Sequence, residues 1–245
     1  MTHYRKKDDG WSETCSLAEA FGLTPRIKVI SFIGSGGKSS LIRLLAREQV
    51  AAGKAVAITT TTHIRPIDNW IEDKKRALEA LTEGSVVTIA EPAEQGKIKR
   101  PDESTLEAIF EKADLTLIEA DGAKMMPLKY PAAYEPVLHP KTDLIILVAG
   151  MSALGRPLRE VCHRVALSGL LPDLKVEEAL IFNLLQDGYF EPLKRQSRIF
   201  NLALNQVDDE EKLAAAEALA TSVMDHYKAD VGAVSAHRLD ETERL

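Results

Sequence analysis

The stretch Ile33-Gly34-Ser35-Gly36-Gly37-Lys38-Ser39-Ser40 decides the fold, because it stands between an apolar run and an amphipathic helical pattern. Glycines let the backbone turn so that successive N–H groups point at phosphate oxygens, and the helix N-terminus adds partial positive charge. In such a loop the lysine reaches the β- and γ-phosphates of a nucleotide, and the following hydroxyl binds magnesium. The sequence therefore predicts a phosphate-binding loop whose nucleotide contacts are Gly34, Ser35, Gly36, Gly37, Lys38, Ser39 and Ser40.

The motif departs from the full pattern G-x-x-x-x-G-K-[ST] at its first position. This chain has Phe32 there instead of glycine, so the opening turn must differ from the common form. The alternative interpretation is a glycine-rich turn with a solvated lysine. The strand before the loop, the helix after it and the Gly-Lys-Ser order all favour the phosphate loop.

Apolar runs alternate with helical patterns from residue 26 onward, which is typical of an α/β domain with a mostly parallel sheet. The predicted strands are residues 27–33, 55–60, 85–89, 115–119, 144–149, 199–204 and 231–234. The predicted helices are residues 39–52, 69–81, 103–112, 158–170, 176–186 and 209–226. Several strands are almost wholly apolar, as strands covered on both faces should be. We therefore predict a three-layer sandwich similar to the P-loop NTPases, with helices on both faces of the sheet.

Two internal stretches and the N-terminus fit this alternation less well. Residues 125–142 carry four prolines and are predicted to form an ordered loop that crosses the surface. Residues 183–198 are predicted to form another connection. Residues 1–25, with a short helix over 16–21, are predicted to be an N-terminal extension. Residues 26–245 are predicted to be a single domain, because no linker-like composition divides them.

The composition is that of an ordinary globular protein. Of 245 residues, 45% are hydrophobic and 28% charged, so the chain can bury a core, and disordered or disulfide-stapled folds are excluded. The 31 lysines and arginines against 37 acidic residues give a net charge of -6, which argues against a nucleic-acid partner but allows one local phosphate site. Two cysteines, a charged N-terminus and no bilayer-length apolar stretch predict a cytoplasmic protein with no membrane partner.

An acidic residue at the end of a neighbouring strand is the second part of a P-loop site, because it orients magnesium or its bound water. Glu119 and Gly122 match the acid-x-x-Gly element of GTPase-like proteins, with glutamate where aspartate is commoner, and Asp121 is the competing acid. Ser39, Glu119 and Asp121 are therefore the predicted metal ligands, and Lys38 and Glu119 are predicted to be catalytic. The alternative is an ordinary strand end that runs into a polar turn.

Hydroxyl-bearing side chains end the second predicted strand, in the run Thr59-Thr60-Thr61-Thr62-His63. Doubly wound folds bind ligands at this carboxyl edge of the sheet. One threonine, taken as Thr61, is expected to complete the magnesium shell or contact the γ-phosphate. His63 is the third predicted catalytic residue, which positions the attacking water or contacts a second substrate. Alternatively, these are β-branched strand residues capped by a surface histidine.

A candidate base-recognition element follows the sixth predicted strand, in the run Asn205-Gln206-Val207-Asp208. In GTPases an Asn-Lys-x-Asp element recognises guanine, and a later Ser-Ala pair supplies a backbone N–H to the base. The matching residues here are Asn205, Asp208, Ser235 and Ala236. Gln206 replaces the lysine, which leaves the choice between GTP and ATP open. The competing interpretation is that Asp208 caps the next helix.

Four basic side chains, Arg156, Arg159, His163 and Arg164, follow the strand predicted over 144–149 and should start near the ligand edge. They form a candidate site for a second anion, such as a phosphorylated cofactor or a carboxylate-bearing partner. A solvated helix face is the alternative. Cys162, in the same run, is predicted to be a buried helical residue rather than a thiolate ligand.

Five short motifs together resemble the YqeC family, known as selenium-dependent hydroxylase accessory proteins. They are residues 30–39, 59–63, 118–123, 154–158 and 205–208, and they extend in order over most of the chain. The resemblance implies a P-loop nucleotide-binding protein that acts with selenium-dependent molybdenum hydroxylases, in maturing their molybdenum centre. No residue in the sequence itself indicates selenium or molybdenum chemistry.

Three functions are compatible with these motifs. The leading hypothesis is a Mg2+-dependent NTPase whose hydrolysis of GTP or ATP gates a step in the assembly of a molybdoenzyme. The second is a kinase or nucleotidyl transferase that acts on a small cofactor such as a pterin, with the four basic side chains as its acceptor site. The third is a non-hydrolysing adaptor, in which nucleotide orders residues 125–142 for a partner hydroxylase. The sequence leaves the oligomeric state and the client open.

Overall fold

A computed structural model describes residues 2–67 and 69–234 of the chain. Its strands are β1 His3–Lys7, β2 Gly10–Thr14, β3 Val29–Gly34, β4 Val56–Thr60, β5 Trp70–Ile71, β6 Val86–Ile89, β7 Glu91–Pro92, β8 Ile98–Lys99, β9 Leu115–Glu119, β10 Leu128–Lys129, β11 Leu144–Gly150, β12 Cys162–His163, β13 Phe200–Asn205 and β14 Val231–Val234. Its α-helices are α1 Leu17–Ala20, α2 Lys38–Ala51, α3 Lys74–Ala80, α4 Glu103–Lys112, α5 Leu158–Val161, α6 Glu178–Leu185, α7 Glu191–Arg195 and α8 Glu210–Tyr227. A π-helical turn, Gln186–Phe190, joins α6 to α7.

Ten strands form one sheet in the order β2-β1-β14-β13-β11-β3-β9-β4-β6-β5. From β14 to β5 all neighbours are parallel. Only the hairpin of β1 and β2 at one edge introduces antiparallel pairs into this sheet. The prediction of a mostly parallel α/β sheet is confirmed, and each of the seven predicted strands is present. In addition, β10 pairs with β12 and β7 pairs with β8 outside the sheet.

Alternate side chains of the central strands enter two hydrophobic cores on opposite faces of the sheet. In β3, Ile30 and Phe32 join the core that contains α1 and α2. Val29 and Ile33 join the core that contains buried residues of α3, α4, α6 and α8. Every residue of β3 is buried, which is expected of a parallel strand covered on both faces. This arrangement confirms the predicted three layers.

Three predicted element boundaries are wrong, and each has a local cause. The helix predicted over 69–81 is shorter, because Trp70–Ile71 pairs with β6 and Asp73 caps α3. The helix predicted over 158–170 ends at Val161, because Cys162–His163 pairs with β10 and Arg164 takes a left-handed conformation with φ 64°. The connection predicted over 183–198 is largely helical, since Pro192 lies in the first turn of α7, where a proline is tolerated.

The N-terminal segment extends the sheet. In addition to α1, which corresponds to the predicted helix, it forms a hairpin whose first strand pairs antiparallel with β14, so that Tyr4 lies opposite Ala233. The hairpin was not predicted because its strands, HYRKK and GWSET, are mostly polar and lack an apolar run. In the described part of the chain, no helix is both long enough and apolar enough to cross a membrane.

Phe32 occupies the position where the full loop motif has glycine, and its side chain is wholly buried in the core beside α2. Phe32→Ala should lower the free energy of unfolding by about 3–5 kcal/mol, because it leaves a cavity in the centre of the sheet. The matched control is Ile199→Ala, at a side chain that is 69% exposed, which should cost less than about 0.5 kcal/mol. Urea denaturation of both variants measures the difference, and equal losses would contradict this assignment of the core.

Candidate functional site

The loop between β3 and α2 contains glycines in backbone conformations that would strain any other residue. Gly34, Gly36 and Gly37 have φ values of 86°, 88° and 108°, which lie in the left-handed region. A Cβ atom on Gly36 would lie 2.8 Å from the Pro127 carbonyl oxygen and closer still to the backbone of Gly150. The backbone of the loop is therefore packed against two neighbouring segments and held in one conformation.

Lys38, the first residue of α2, folds back over the loop and is buried. Its Nζ donates to the Gly34 carbonyl oxygen at 2.7 Å. The same nitrogen lies 3.0 Å from Asp121 Oδ1 and 3.9 Å from Glu119 Oε1. The structure thus brings together the predicted loop lysine and both predicted acids. The Lys38 ammonium and these two carboxylates share a small space from which water is largely excluded.

Ser39 and Glu119 meet directly. The Ser39 hydroxyl donates to Glu119 Oε2 at 2.8 Å. The contact follows from the sheet order, because β9 is the neighbour of β3 and Glu119 lies opposite Phe32 in the register. Two oxygens of an octahedral Mg2+ shell, each about 2.1 Å from the ion, lie about 3 Å apart when they are adjacent. The spacing of these two oxygen atoms therefore fits magnesium.

Burial sets the ionisation of Glu119. The pKa of this carboxyl is raised, and the main cause is burial, which disfavours the charged form. The Lys38 ammonium and the Ser39 hydroxyl oppose that shift, and the charge of Asp121 adds to it. Glu119 therefore retains its proton at a higher pH than an exposed glutamate does.

Asp121 is fully buried and ties the loop to its surroundings. Its Oδ2 accepts from the Gly34 N–H at 3.0 Å and from the Tyr189 hydroxyl at 3.3 Å. Burial, followed by the Asp121 charge, holds the pKa of Tyr189 well above its ordinary value, so the hydroxyl stays a donor. Glu119 is the acid that faces Ser39, and a metal role for Asp121 stays a prediction.

Thr60 and Thr61 form hydrogen bonds with neighbouring backbone, whereas His63 is exposed to solvent. Thr60 Oγ1 donates to the Glu119 carbonyl oxygen at 2.8 Å and so supports the backbone at the end of β9. Thr61 Oγ1 donates to the Val137 carbonyl oxygen at 2.6 Å. The His63 side chain is exposed, and within the described residues it forms no hydrogen bond or ion pair with Lys38 or Glu119. The structure does not bring His63 into the buried cluster.

Asn205, the first of the base-recognition candidates, contacts the phosphate loop directly. Asn205 Nδ2 donates to the Gly36 carbonyl oxygen at 2.7 Å, so the end of β13 supports the phosphate loop. Asp208 is exposed, and the proposed alternative that it caps α8 is wrong, because Asp209 accepts from the Lys212 N–H at 2.8 Å in that position. Ser235 and Ala236, the other predicted base contacts, lie outside the described residues.

Gln206 stands in the position of the lysine, and its side chain contacts Ser152, which follows β11. It has a left-handed φ of 64°, and its Oε1 accepts from the Ser152 hydroxyl at 2.5 Å. The side chain therefore joins the ends of β13 and β11 rather than extending beside a base.

The second-anion site of the four basic residues stays a prediction, and the structure gives each of its three arginines an ion pair. Each arginine is paired with a different carboxylate: Arg156 with Glu160 at 3.6 Å, Arg159 with Asp173, and Arg164 with Glu135. Burial and the neighbouring Arg164 charge lower the pKa of His163, which favours its neutral form. Burial raises the pKa of Cys162 to about 11, so this side chain is an un-ionised thiol, in a two-residue strand rather than the predicted helix.

The segment of residues 122–137, called here the covering segment, lies against the loop. The Met126 carbonyl oxygen accepts from the Gly36 N–H at 3.1 Å and from the Ser35 hydroxyl. Lys129 within it is buried and donates to the Gly122 carbonyl oxygen at 2.6 Å. Part of the stretch predicted to cross the surface is therefore part of the site. The contacts of Lys129 and Tyr189 with Asp121 could not be predicted from the sequence, because they arise only from tertiary packing.

A second group of possible metal ligands, Glu103, Glu107 and His139, does not suit a cation. His139 Nδ1 accepts from the Lys141 N–H at 3.1 Å, and Nε2 lies 3.1 Å from Glu103 Oε1. Both ring nitrogens are thus already used. The Lys141 ammonium pairs with Glu107 and supplies the positive charge that a metal would bring.

The fold and the loop together define an α/β protein of the P-loop NTPase-like class. Residues 30–166 match the sequence model of the YqeC family, described as "YqeC protein", and the chain belongs to that family. The protein described as "Uncharacterized protein YqeC" from Escherichia coli strain K12 is 34% identical over 176 residues, which cover 66% of this chain and 69% of that protein.

A solved structure shares the fold at low sequence identity. The MinC:MinD cell division protein complex of Aquifex aeolicus contains a chain that matches with a TM-score of 0.51 and 15% identity. The match covers 86% of this chain and 82% of that chain. It supports the P-loop NTPase-like fold.

The close contact at Gly36 generates a prediction about stability. Gly36→Ala places a methyl group against the backbone of Gly150 and Pro127 and should cost several kcal/mol. The matched control is Gly84→Ala, which has a similar left-handed φ of 67° but open space around the added atom, and should cost about 1–2 kcal/mol. Thermal or urea unfolding compares the two variants. Equal destabilisation would show that the loop is not closely packed.

Proposed function

We propose that this protein binds a nucleoside triphosphate with Mg2+ and hydrolyses it. The observation that carries the proposal is the contact of 2.8 Å between the Ser39 hydroxyl and Glu119 Oε2, made beside the buried Lys38 ammonium. A hydroxyl at the start of a helix, a carboxylate at the end of the adjacent strand and a lysine over a glycine loop are the groups that a magnesium–nucleotide complex requires. Bound Mg2+ would neutralise charge on the β- and γ-phosphates.

The groups of this chain would then act by position and charge. In the structure the Gly36 N–H donates to the Met126 carbonyl oxygen, and the Lys38 ammonium faces two carboxylates. Phosphate oxygens are acceptors of the same kind, so nucleotide binding exchanges one set of acceptors for another. Lys38 would then stabilise the negative charge that develops on the transferred phosphoryl group as water attacks, and such charge stabilisation is the main means by which these sites accelerate hydrolysis.

Hydrolysis is favoured over transfer to an acceptor held by the basic side chains. A transferase that used Arg156, Arg159 and Arg164 as its acceptor site would need them free to converge on one anion. Each is instead paired with its own carboxylate. An acceptor anion at these arginines would have to displace those carboxylates, which weighs against the transferase.

The client remains the one implied by the family. The chain belongs to the YqeC family, and the resemblance described above associates that family with selenium-dependent molybdenum hydroxylases. We propose that nucleotide hydrolysis serves the maturation of such an enzyme or its cofactor, with GTP or ATP as the nucleotide. The covering segment would report the nucleotide state to a client, because it contacts both Gly36 and Thr61.

Release of inorganic phosphate from GTP and from ATP, each with Mg2+, tests the hydrolysis. The wild-type protein should release phosphate from one of them, and Lys38→Ala should reduce the rate by at least about 100-fold, because it removes the charge aimed at the transferred phosphate. Lys75→Ala, at a lysine that is 85% exposed, is the matched control and should retain the wild-type rate. Equal rates for Lys38→Ala and the wild type would refute the proposal.

The raised pKa of Glu119 predicts how magnesium binding depends on pH. A proton on Glu119 must leave before the carboxylate can bind Mg2+, so the affinity for Mg2+ should fall as the pH is lowered. The fall should lie within a pH range in which an ordinary exposed glutamate remains ionised, because the pKa of Glu119 is raised. Titration of Mg2+ in the presence of nucleotide, monitored by calorimetry, measures the effect. Glu119→Gln should bind Mg2+ more weakly and with less dependence on pH, and an unchanged wild-type affinity across this range would contradict the assignment.

A further inference from the structure

Lys129 is a lysine whose ammonium group has no exposure to solvent. Its Nζ donates to the Gly122 carbonyl oxygen at 2.6 Å and lies 2.8 Å from Glu135 Oε2 and 3.4 Å from Asp121 Oδ2. Three acceptors surround the three ammonium protons. Burial of an ammonium group is unfavourable unless its partners compensate for the lost hydration. The three acceptors around Lys129 provide that compensation beside the phosphate loop.

Asp121 is shared between two lysines. Its Oδ1 lies 3.0 Å from Lys38 Nζ, and its Oδ2 faces Lys129 together with the Gly34 N–H and the Tyr189 hydroxyl. When Lys38 moves to a nucleotide phosphate, it gives up its contact with Oδ1. The charge of Lys129 and the two neutral donors on Oδ2 then remain with the buried carboxylate.

We propose that Lys129 is a positioning residue that keeps Asp121 compensated and so frees Lys38 to bind the nucleotide phosphates. The inference rests on the proposed function and deepens it. The ion pairs given for Asp121 within the described residues are those with Lys38 and Lys129, so without Lys129 the contact with Lys38 would remain. Departure of Lys38 would then take this ion pair from a buried carboxylate, which is unfavourable. Lys38 would therefore stay on Asp121, and nucleotide affinity would fall.

Glu135, the other carboxylate paired with Lys129, keeps a positive partner when Lys129 is removed. It is paired with Arg164 as well as with Lys129, and Arg164 also donates to the Tyr134 hydroxyl at 3.1 Å. Removal of Lys129 therefore leaves Glu135 with a cation. The consequence of the removal falls mainly on Asp121, and through Asp121 on Lys38.

The test is a calorimetric titration of the full chain with Mg2+–GTP and Mg2+–ATP. Lys129→Met should bind the preferred nucleotide at least tenfold more weakly than the wild type, whereas Lys129→Arg, which keeps the charge, should bind within about threefold of it. Adding Asp121→Asn to Lys129→Met removes the charge that retains Lys38, so the double variant should recover most of the lost affinity. A merely structural role for Lys129 would give no such recovery.

The outcomes separate the inference from the proposed function. Wild-type affinity in Lys129→Met, or a loss that Asp121→Asn does not repair, would overturn the inference while leaving nucleotide binding in place. If Lys129→Met fails to fold, Asp121→Asn is compared with the double variant. With Asp121 neutral, the loss of Lys129 should change affinity by less than about threefold, and a further tenfold loss would overturn the inference. If the wild type binds neither nucleotide, both proposals fall.

Discussion

The buried carboxylate of Asp121 is the interaction on which the site depends. It accepts from the Gly34 N–H at the end of β3, lies 3.0 Å from Lys38 at the start of α2, and accepts from Tyr189 in the π-helical turn. Its second lysine, Lys129, belongs to the covering segment. One side chain thus joins both ends of the phosphate loop to the covering segment and to the π-helical turn. Because it is fully buried, each of those contacts is made without competition from water.

The order of the strands makes this arrangement possible. β9 lies directly beside β3, so the acids that follow β9 arrive next to the loop that follows β3. On the other side of β3, the Val148 carbonyl oxygen in β11 accepts from the Ser35 N–H at 2.8 Å. Asn205, at the end of β13, reaches the same loop through Gly36. Parallel strands all end at one edge, and the phosphate loop lies where four of those ends meet.

The sequence was sufficient to predict the parts of the site that depend on local pattern. The glycine loop, its lysine and the seven strands follow from residue order and from runs of apolar residues, and Leu115–Glu119 and Val231–Val234 have the predicted limits. The hairpin His3–Lys7 and Gly10–Thr14 has a mostly polar sequence and gains its stability from pairing with β14. Lys129 and Tyr189 look like surface and connection residues in sequence, since only the folded chain places them against Asp121. The ion pair of Arg164 with Glu135 also depends on tertiary packing, whereas Arg156 pairs with Glu160 one helical turn away in sequence.

Lys38, Ser39 and Glu119 form the proposed magnesium–nucleotide site, in which Asp121 holds the loop in place. The most direct test of that site is a calorimetric titration of the wild-type protein with GTP and with ATP, each in the presence and absence of Mg2+. We expect saturable binding of one triphosphate that is at least tenfold tighter with Mg2+ than without it. Absence of binding by both triphosphates, or binding that ignores Mg2+, would contradict the central claim.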